Sequence, residues 1–220
     1  MKTFPTPQLL QGTIAFFTDP DNPHTFEFVS YVISQFPYLE RNGVSGYSFA
    51  FKSFPNPLNS AVLVSGIGLS MVIQDTQNED DMRKIWKPLF EHVNNTWTNV
   101  TFLEIYRKYP TQLAWFDENK DTQKAGSDQY IGSRLLDVDA ITKNLTALSL
   151  VFKSLSAGGS ASAYLVTGKG VWDAKPRGGG NSVCPAWRTA IVHASKCCQT
   201  VLQFLVIYIL LQQLASNLHH

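Results

Sequence analysis

The most specific string in this chain is Gly178-Gly179-Gly180-Asn181-Ser182-Val183-Cys184-Pro185-Ala186-Trp187-Arg188. It follows a run with strand character, residues 161–167, and it holds no set of residues that would carry out catalysis by itself. Neither its glycines nor Gly168-Lys169-Gly170 continue into the GxxxxGK[ST] sequence of a phosphate-binding loop. The string is therefore informative about the fold rather than about chemistry.

The composition is that of one globular domain. Of 220 residues, 44% are hydrophobic and 12% are aromatic, which is enough to bury a sizeable core. The 18 Lys and Arg residues nearly balance the 17 Asp and Glu residues, and the formal net charge is +1. Proteins that bind nucleic-acid phosphates need a basic surface, which this balance does not supply. Nucleic acid is therefore not expected as a partner.

The cysteines and histidines predict neither a disulfide framework nor a metal site. The cysteines are odd in number and late in the chain, at Cys184, Cys197 and Cys198. Two adjacent cysteines cannot easily bind the same tetrahedral zinc. The five histidines show no HxxxH spacing, and no CxxC pair occurs; the histidines are His24, His92, His193, His219 and His220.

Two features bear on the compartment and point in different directions. Residues 1–8 lack the apolar stretch of a secretory signal, so the chain as written is expected to be cytoplasmic. Three glycosylation sequons nevertheless occur, at Asn94, Asn99 and Asn144, and they would matter only in a secreted protein. Single sequons arise by chance, whereas three together fit a secreted ancestor that has lost its leader.

The first half of the chain predicts a strand, a helix and two paired strands. Residues 8–18 form an apolar strand. A helix follows with Thr25 as its N-cap, and Asn42-Gly43 supplies a left-handed stop. Residues 46–52 and 60–71 are two further strands, which we expect to pair.

The second half continues the alternation. A helix begins at Asn78 and is bent or shortened by Pro88. Its apolar stripe is Met82, Ile85, Leu89 and Val93. The remaining elements are a strand at 99–106, a long polar loop at 107–130, a helix at 138–155 and a strand at 161–167.

This order predicts an α+β fold with an antiparallel or mixed sheet and with helices packed on one face. The apolar tail at 201–211 does not fit the pattern. It is shorter than the roughly 17 to 25 residues that cross a bilayer, so a membrane anchor is not predicted. A helix that completes the core and sequence from an altered reading frame are the two alternatives.

The run from Gly178 to Arg188 closely resembles the glycine-rich strand and the Asn-Pro-Ala-Trp-Arg segment near the end of fungal FAD-linked oxidases of the berberine-bridge-enzyme type. Cys184 stands where that family usually has Asn. Residues 26–46 resemble the first helix of the family's substrate domain, and residues 178–188 resemble its last central strand. The resemblance implies that 1–194 is a substrate domain, with 1–7 left over from the link to a flavin domain, and that 195–220 is a divergent tail.

The same resemblance implies a function. In the intact oxidases the substrate lies over the flavin ring of FAD and a base on the sheet takes a proton from an alcohol or amine. Hydride passes to the flavin and oxygen reoxidises it. Fungal relatives commonly act in secondary metabolism. The implied partners are a small-molecule substrate and a separate flavin domain, because residues resembling that domain are not found in this sequence. Whether the chain alone binds FAD or is an active enzyme is left open.

Four polar residues are candidates for contact with a substrate. Plant relatives place a glutamate near the glycine-rich start of the last strand, but residues 175–183 contain no carboxylate, so the catalytic base is not assigned. Tyr106 and Tyr164 lie on predicted strands, and Asn181 and Arg188 lie in the string itself. Strand tyrosines mostly pack, and a surface cation beside a core indole explains Arg188 equally well.

Glu104 is a further candidate acid or base, provided that its side of the strand lines a pocket. Charged residues on strands usually point to water instead. Two other readings of the whole chain stay open. It is either a non-catalytic remnant that binds a small molecule, or a scaffold that uses its apolar tail for interaction.

Overall fold

The computed structural model describes residues 6–120, 130–168, 171, 173–175 and 183–198. Seven strands and six α-helices occur in these residues. They are β1 (Leu9–Thr18), α1 (Thr25–Ser34), α2 (Phe36–Arg41), β2 (Ser45–Asn56), β3 (Asn59–Gln74), α3 (Glu79–Thr96), β4 (Thr101–Tyr109), α4 (Gln112–Asn119), β5 (Tyr130–Leu136), α5 (Val138–Thr142), α6 (Leu145–Leu155), β6 (Ser160–Leu165) and β7 (Val192–Cys198).

The seven strands form one sheet in the order β4-β1-β3-β2-β6-β7-β5. Each neighbouring pair is antiparallel, and the predicted pairing of β2 with β3 is confirmed. The main core lies between one face of this sheet and helices α1, α2, α3, α5 and α6, whereas the short α4 buries no residue in it. The α+β fold with helices packed on one face is therefore as predicted, with α4 as the exception.

Alternation along each strand determines which side chains enter that core. On β1, Leu10, Ile14 and Phe16 are fully buried against the helices, whereas Ala15 and Phe17 belong to a smaller cluster on the opposite face. We call this opposite side the open face. Helices cover the core face, whereas the open face carries the smaller cluster, and the candidate site lies on the open face.

The first predicted helix is two helices. His24 rather than Thr25 is the N-cap of α1, and Thr25 instead donates its hydroxyl to the Asn22 carbonyl oxygen. α1 ends at Ser34 because Pro37, in the first turn of α2, has no N–H to continue the ladder. The left-handed stop at Gly43 is confirmed by a φ of 78°.

Helix α3 begins as predicted, with the Asn78 side chain accepting a hydrogen bond from the Asp80 N–H. Pro88 does not shorten it, since the helix runs for 18 residues. Burial of Met82, Trp86, Leu89 and Val93 against the sheet holds it in place. Ile85, which the sequence pattern placed on the buried stripe, is only half-buried, whereas its neighbour Trp86 is fully buried.

Three later predictions are wrong. Residues 107–130 are not one loop, because β4 extends to Tyr109, Thr111 caps helix α4, and β5 begins at Tyr130. The helix at 138–155 is divided into α5 and α6 by Asn144, which caps α6 by accepting from the Ala147 N–H.

The third correction concerns the string that begins at Gly178. Its described part is not a strand, since Pro185–Arg188 forms a short 3-10 turn. The last strand among the described residues is β7, which continues past position 194. Residues 178–182 and the apolar segment 201–211 lie outside the described residues.

Candidate functional site

The open face carries a row of polar and aromatic side chains that crosses the sheet. Ladder pairs join Thr13 to Ser70, Ser70 to Tyr47, and Tyr164 to His193. The Tyr47 and Tyr164 rings meet edge to face, with centroids 5.2 Å apart. Five adjacent strands therefore contribute to one continuous row.

Aromatic rings surround Tyr164. Its ring centroid lies 5.6 Å from that of Phe49 and 6.3 Å from that of His193. Trp187, from the 3-10 turn, places its ring 5.4 Å from His193. Edge-to-face pairs at these distances are favourable and hold the rings in fixed orientations.

A cleft of about 520 Å³ opens on one side of this row. We call it the aromatic cleft. Its volume lies within the range of small-molecule sites. Its walls combine rings with polar strand residues, including Tyr47, Ser70, Trp115, Tyr164 and Trp187.

Helix α4 forms one wall of the aromatic cleft, and a buried glutamine holds it there. The Gln11 Nε2 donates to Ser70 Oγ at 2.8 Å and to Asn119 Oδ1 at 3.2 Å. The Trp115 Nε1 donates to Gln11 Oε1 at 3.1 Å. The network uses both ends of the glutamine amide, so it fixes Trp115 at the cleft.

A second cleft of about 480 Å³ lies on the other side of the row. We call it the apolar cleft, because its lining is almost wholly apolar: Ala15, Phe49, Phe51, Phe54, Pro55, Pro57, Gly68 and Leu103 with few polar atoms. Ser70 lines both clefts. The two clefts therefore adjoin along the open face.

His193 is not itself among the residues that line the aromatic cleft, but its ring contacts two that are, Tyr164 and Trp187, which makes it the titratable group of the row best suited to proton transfer. It is half-buried on β7 between Tyr164 and Trp187. Burial lowers the pKa of His193 from its ordinary value of 6.5. At neutral pH the imidazole is therefore uncharged and able to accept a proton.

We expect a histidine NMR signal that titrates with a midpoint below 6.5 and that disappears in His193→Gln. Trp187→Ala should move this midpoint upward, because removing the indole exposes the ring to water. Leu150→Ala, at an exposed position on α6, should leave it unchanged. A His193 midpoint at or above the ordinary value would contradict this environment.

The structure separates the sequence candidates. Tyr164 lies on the open face within the row, and Arg188 is half-buried at the end of the 3-10 turn that carries Trp187. Tyr106 lies on the helix-covered face instead, where the Arg83 guanidinium stands 4.7 Å from its ring centroid. Asn181 lies outside the described residues.

Tyr106 and Glu104 have structural surroundings. Burial, with the neighbouring Glu104 carboxylate, raises the pKa of Tyr106 well above its usual range, so its hydroxyl keeps its proton. Glu104 pairs with Arg83, and it does not line either cleft. Both residues therefore serve the contact between β4 and α3.

The structure also places the sequons. Asn94, Asn99 and Asn144 are all exposed, so their side chains are accessible to modifying enzymes. Within the described residues, no group of three potential metal ligands occurs and no helix is long and apolar enough to span a membrane.

Sequence reasoning missed several residues of the site, namely Gln11, Tyr47, Trp115 and His193. The alternation in Val192–Cys198 is a strand signal that would have placed His193 and Ala194 on opposite faces. No comparable signal pointed to Trp115, because its position depends on α4 folding back to Gln11.

Three solved structures that share this fold are flavoproteins. Over 99% of its length the chain matches the VAO-type flavoprotein MtVAO713 from Myceliophthora thermophila C1, with a TM-score of 0.79 and 19% identity. It matches the VAO-type flavoprotein MtVAO615 from the same organism over 88%, with a TM-score of 0.65 and 15% identity. CrmK, a flavoenzyme of caerulomycin biosynthesis, matches over 98%, with a TM-score of 0.55 and 12% identity.

The chain spans 41%, 34% and 42% of these three proteins respectively. No protein-family model and no curated protein sequence matches it. The fold is therefore that of a part of VAO-type flavoproteins, and it is shared at low sequence identity.

Proposed function

We propose that this chain forms the substrate-binding sheet of an FAD-linked oxidoreductase that oxidises an alcohol or amine. The observation that carries the proposal is the row of rings on the open face, in which the neutral imidazole of His193 contacts two rings that line a cleft of about 520 Å³. Flavoproteins share the fold over 99% of this chain. Rings, an uncharged base and a concave site together suit binding and deprotonation of a small molecule.

The residues present fit the ring of a flavin better than the rest of FAD. Tyr47, Phe49 and Tyr164 offer aromatic surfaces to a flat heterocycle. No Lys or Arg is among the described residues that line either cleft, so the pyrophosphate of FAD would find no counter-charge there. A separate flavin domain against the open face is therefore the proposed partner that holds the remainder of FAD.

The chemistry assigned to this chain is binding and proton transfer. The bound flavin would accept a hydride from the substrate carbon and pass the electrons to oxygen. His193 accepts the proton from the alcohol or amine, so that a carbonyl or imine forms as the O–H or N–H bond breaks. Tyr164 and Trp187 contact the substrate as lining residues of the aromatic cleft, and α4 limits the access of water from one side.

The finer assignment rests on separate observations. The string Gly178–Arg188 supports a berberine-bridge type of oxidase. A role in secondary metabolism is supported by the resemblance and by CrmK, which belongs to caerulomycin biosynthesis. Three exposed sequon asparagines support a glycosylated, secreted form.

The second candidate function is a small-molecule-binding remnant without catalysis. It is favoured by the aromatic cleft, whose volume of about 520 Å³ suits a small molecule whether or not a flavin binds there. Such a protein would bind small molecules in the same cleft and would not bind flavin.

The test is a titration of the purified chain with riboflavin and with FAD, followed by the visible absorbance of the flavin. We expect both flavins to bind saturably and with similar affinity, because only the ring is contacted. Tyr164→Leu should weaken riboflavin binding about fivefold, since a ring pair contributes roughly 1 kcal/mol.

Leu150→Ala is the matched control, because Leu150 is exposed on the helix-covered side. It should bind riboflavin as the unchanged chain does. Much tighter binding of FAD than of riboflavin would show that the chain itself holds the pyrophosphate. If neither flavin binds, the oxidoreductase proposal fails and the binding remnant is favoured.

A further inference from the structure

The apolar cleft is more than a consequence of an uncovered sheet. Its floor is built by small residues, Ala15 and Gly68, which are direct ladder partners. Its walls are larger side chains from three directions, including Leu103 on β4, Phe49 on β2 and Phe54 near the β2–β3 turn. Small residues below and large ones around them produce a concave surface rather than a flat one.

A bulge raises the outer wall of this cleft. Ser53 has a φ of 53°, and the pairing of β2 with β3 shifts register between Phe51 and Phe54. A bulge bends its strand and re-aims the following side chains. Phe54 is 51% exposed after this bend, so part of its ring remains available to a ligand.

The apolar cleft is continuous with the aromatic cleft. Ser70 lines both, and the Phe49 ring, which lines the apolar cleft, contacts the Tyr164 ring, which lines the aromatic one. A ligand whose polar group lies in the aromatic cleft can therefore extend over Ser70 into an apolar environment. The aromatic cleft has polar walls, whereas the apolar cleft offers few hydrogen-bonding atoms.

We propose that the substrate is an amphiphile, with its alcohol or amine in the aromatic cleft and a hydrocarbon portion in the apolar cleft. This inference rests on the proposed function for the identity of the polar group. The occupant of the apolar cleft is a hydrocarbon chain or fused apolar ring, because the lining can exclude water from such a group but cannot satisfy polar atoms.

The test is calorimetric titration of the purified chain with hexan-1-ol, octan-1-ol and decan-1-ol, each below the concentration at which it aggregates. Affinity should rise by about three- to fourfold for each added methylene, because each one buries more apolar surface. The heat-capacity change on binding should become more negative along the series. Equal affinities for hexan-1-ol and decan-1-ol would overturn the proposal.

Two variants locate the effect. Phe54→Ser removes an exposed wall of the apolar cleft and should weaken decan-1-ol binding several-fold while changing hexan-1-ol binding less. Leu150→Ser makes the same kind of change at an exposed position of α6, and it should alter the binding of neither hexan-1-ol nor decan-1-ol. Equal losses in both variants would contradict binding in this cleft.

The same preparations separate this inference from the proposed function. If riboflavin binds and the affinity for the alcohols does not change with chain length, the amphiphile proposal is refuted and the flavin role stands. If the affinity rises with chain length and riboflavin does not bind, the amphiphile site is supported and the flavin role is refuted. If a second copy of the chain covers the apolar cleft instead, the alcohol affinity should not depend on chain length, and Phe54→Ser should reduce self-association. That result would also overturn the proposal.

Discussion

The Trp86→Ala substitution is expected to lower the free energy of unfolding by about 3–5 kcal/mol. Trp86 is 0% exposed, and its ring centroid lies 6.3 Å from that of Phe16 and 6.2 Å from that of Phe90. Truncation loses this buried surface and leaves a cavity between α3 and the sheet. Urea unfolding followed by circular dichroism measures the change.

Trp86→Phe is the matched comparison. The buried Trp86 Nε1 has no hydrogen-bond partner among the described residues. Phenylalanine removes this unsatisfied donor while keeping a ring in the core, so its cost should stay below about 1.5 kcal/mol. If both variants lose the same stability, the ring contacts do not hold α3 on the sheet.

The second large effect is expected from Gly66→Ala, which should cost about 3 kcal/mol or more. A Cβ at Gly66 would lie 2.0 Å from the Phe16 carbonyl oxygen and 2.8 Å from the Phe17 Cα. Both are backbone atoms of the neighbouring strand, so the added methyl would force β1 and β3 apart. Urea unfolding again provides the measurement.

Gly68→Ala is the control in the same strand and on the same face. A Cβ there meets nothing nearer than Phe51 Cε1, at 3.7 Å. Its stability should change by less than about 1 kcal/mol, because the space is available and the strand is unaltered. Similar losses at positions 66 and 68 would show that the β1–β3 contact is not as close as described.

The sequence predicted the parts of the fold that depend on local patterns. The apolar run at 8–18, the alternation at 46–52 and the Asn78 cap each correspond to observed elements. Local patterns do not reveal how β5 pairs with β7 or how α4 is held by Gln11, because those contacts join distant parts of the chain.

The candidate site was predicted less completely, and the two tyrosines show why. Tyr106 and Tyr164 both lie on strands that the sequence predicts. Alternation separates the two sides of one strand but does not say which side the helices cover. On β4 the contact between Arg83 of α3 and Tyr106 shows that Tyr106 is on the helix-covered side. Of these two tyrosines, only Tyr164 lines the aromatic cleft.

We propose that the open face of the sheet, rather than its helix-covered face, is the functional surface. Riboflavin titration of isotope-labelled chain, followed by amide chemical shifts, distinguishes the two faces. We expect shifts in β2, β6, β7 and α4, around Tyr47, Tyr164, His193 and Trp115. Shifts concentrated in α1, α3 and α6, or none at saturating riboflavin, would contradict it.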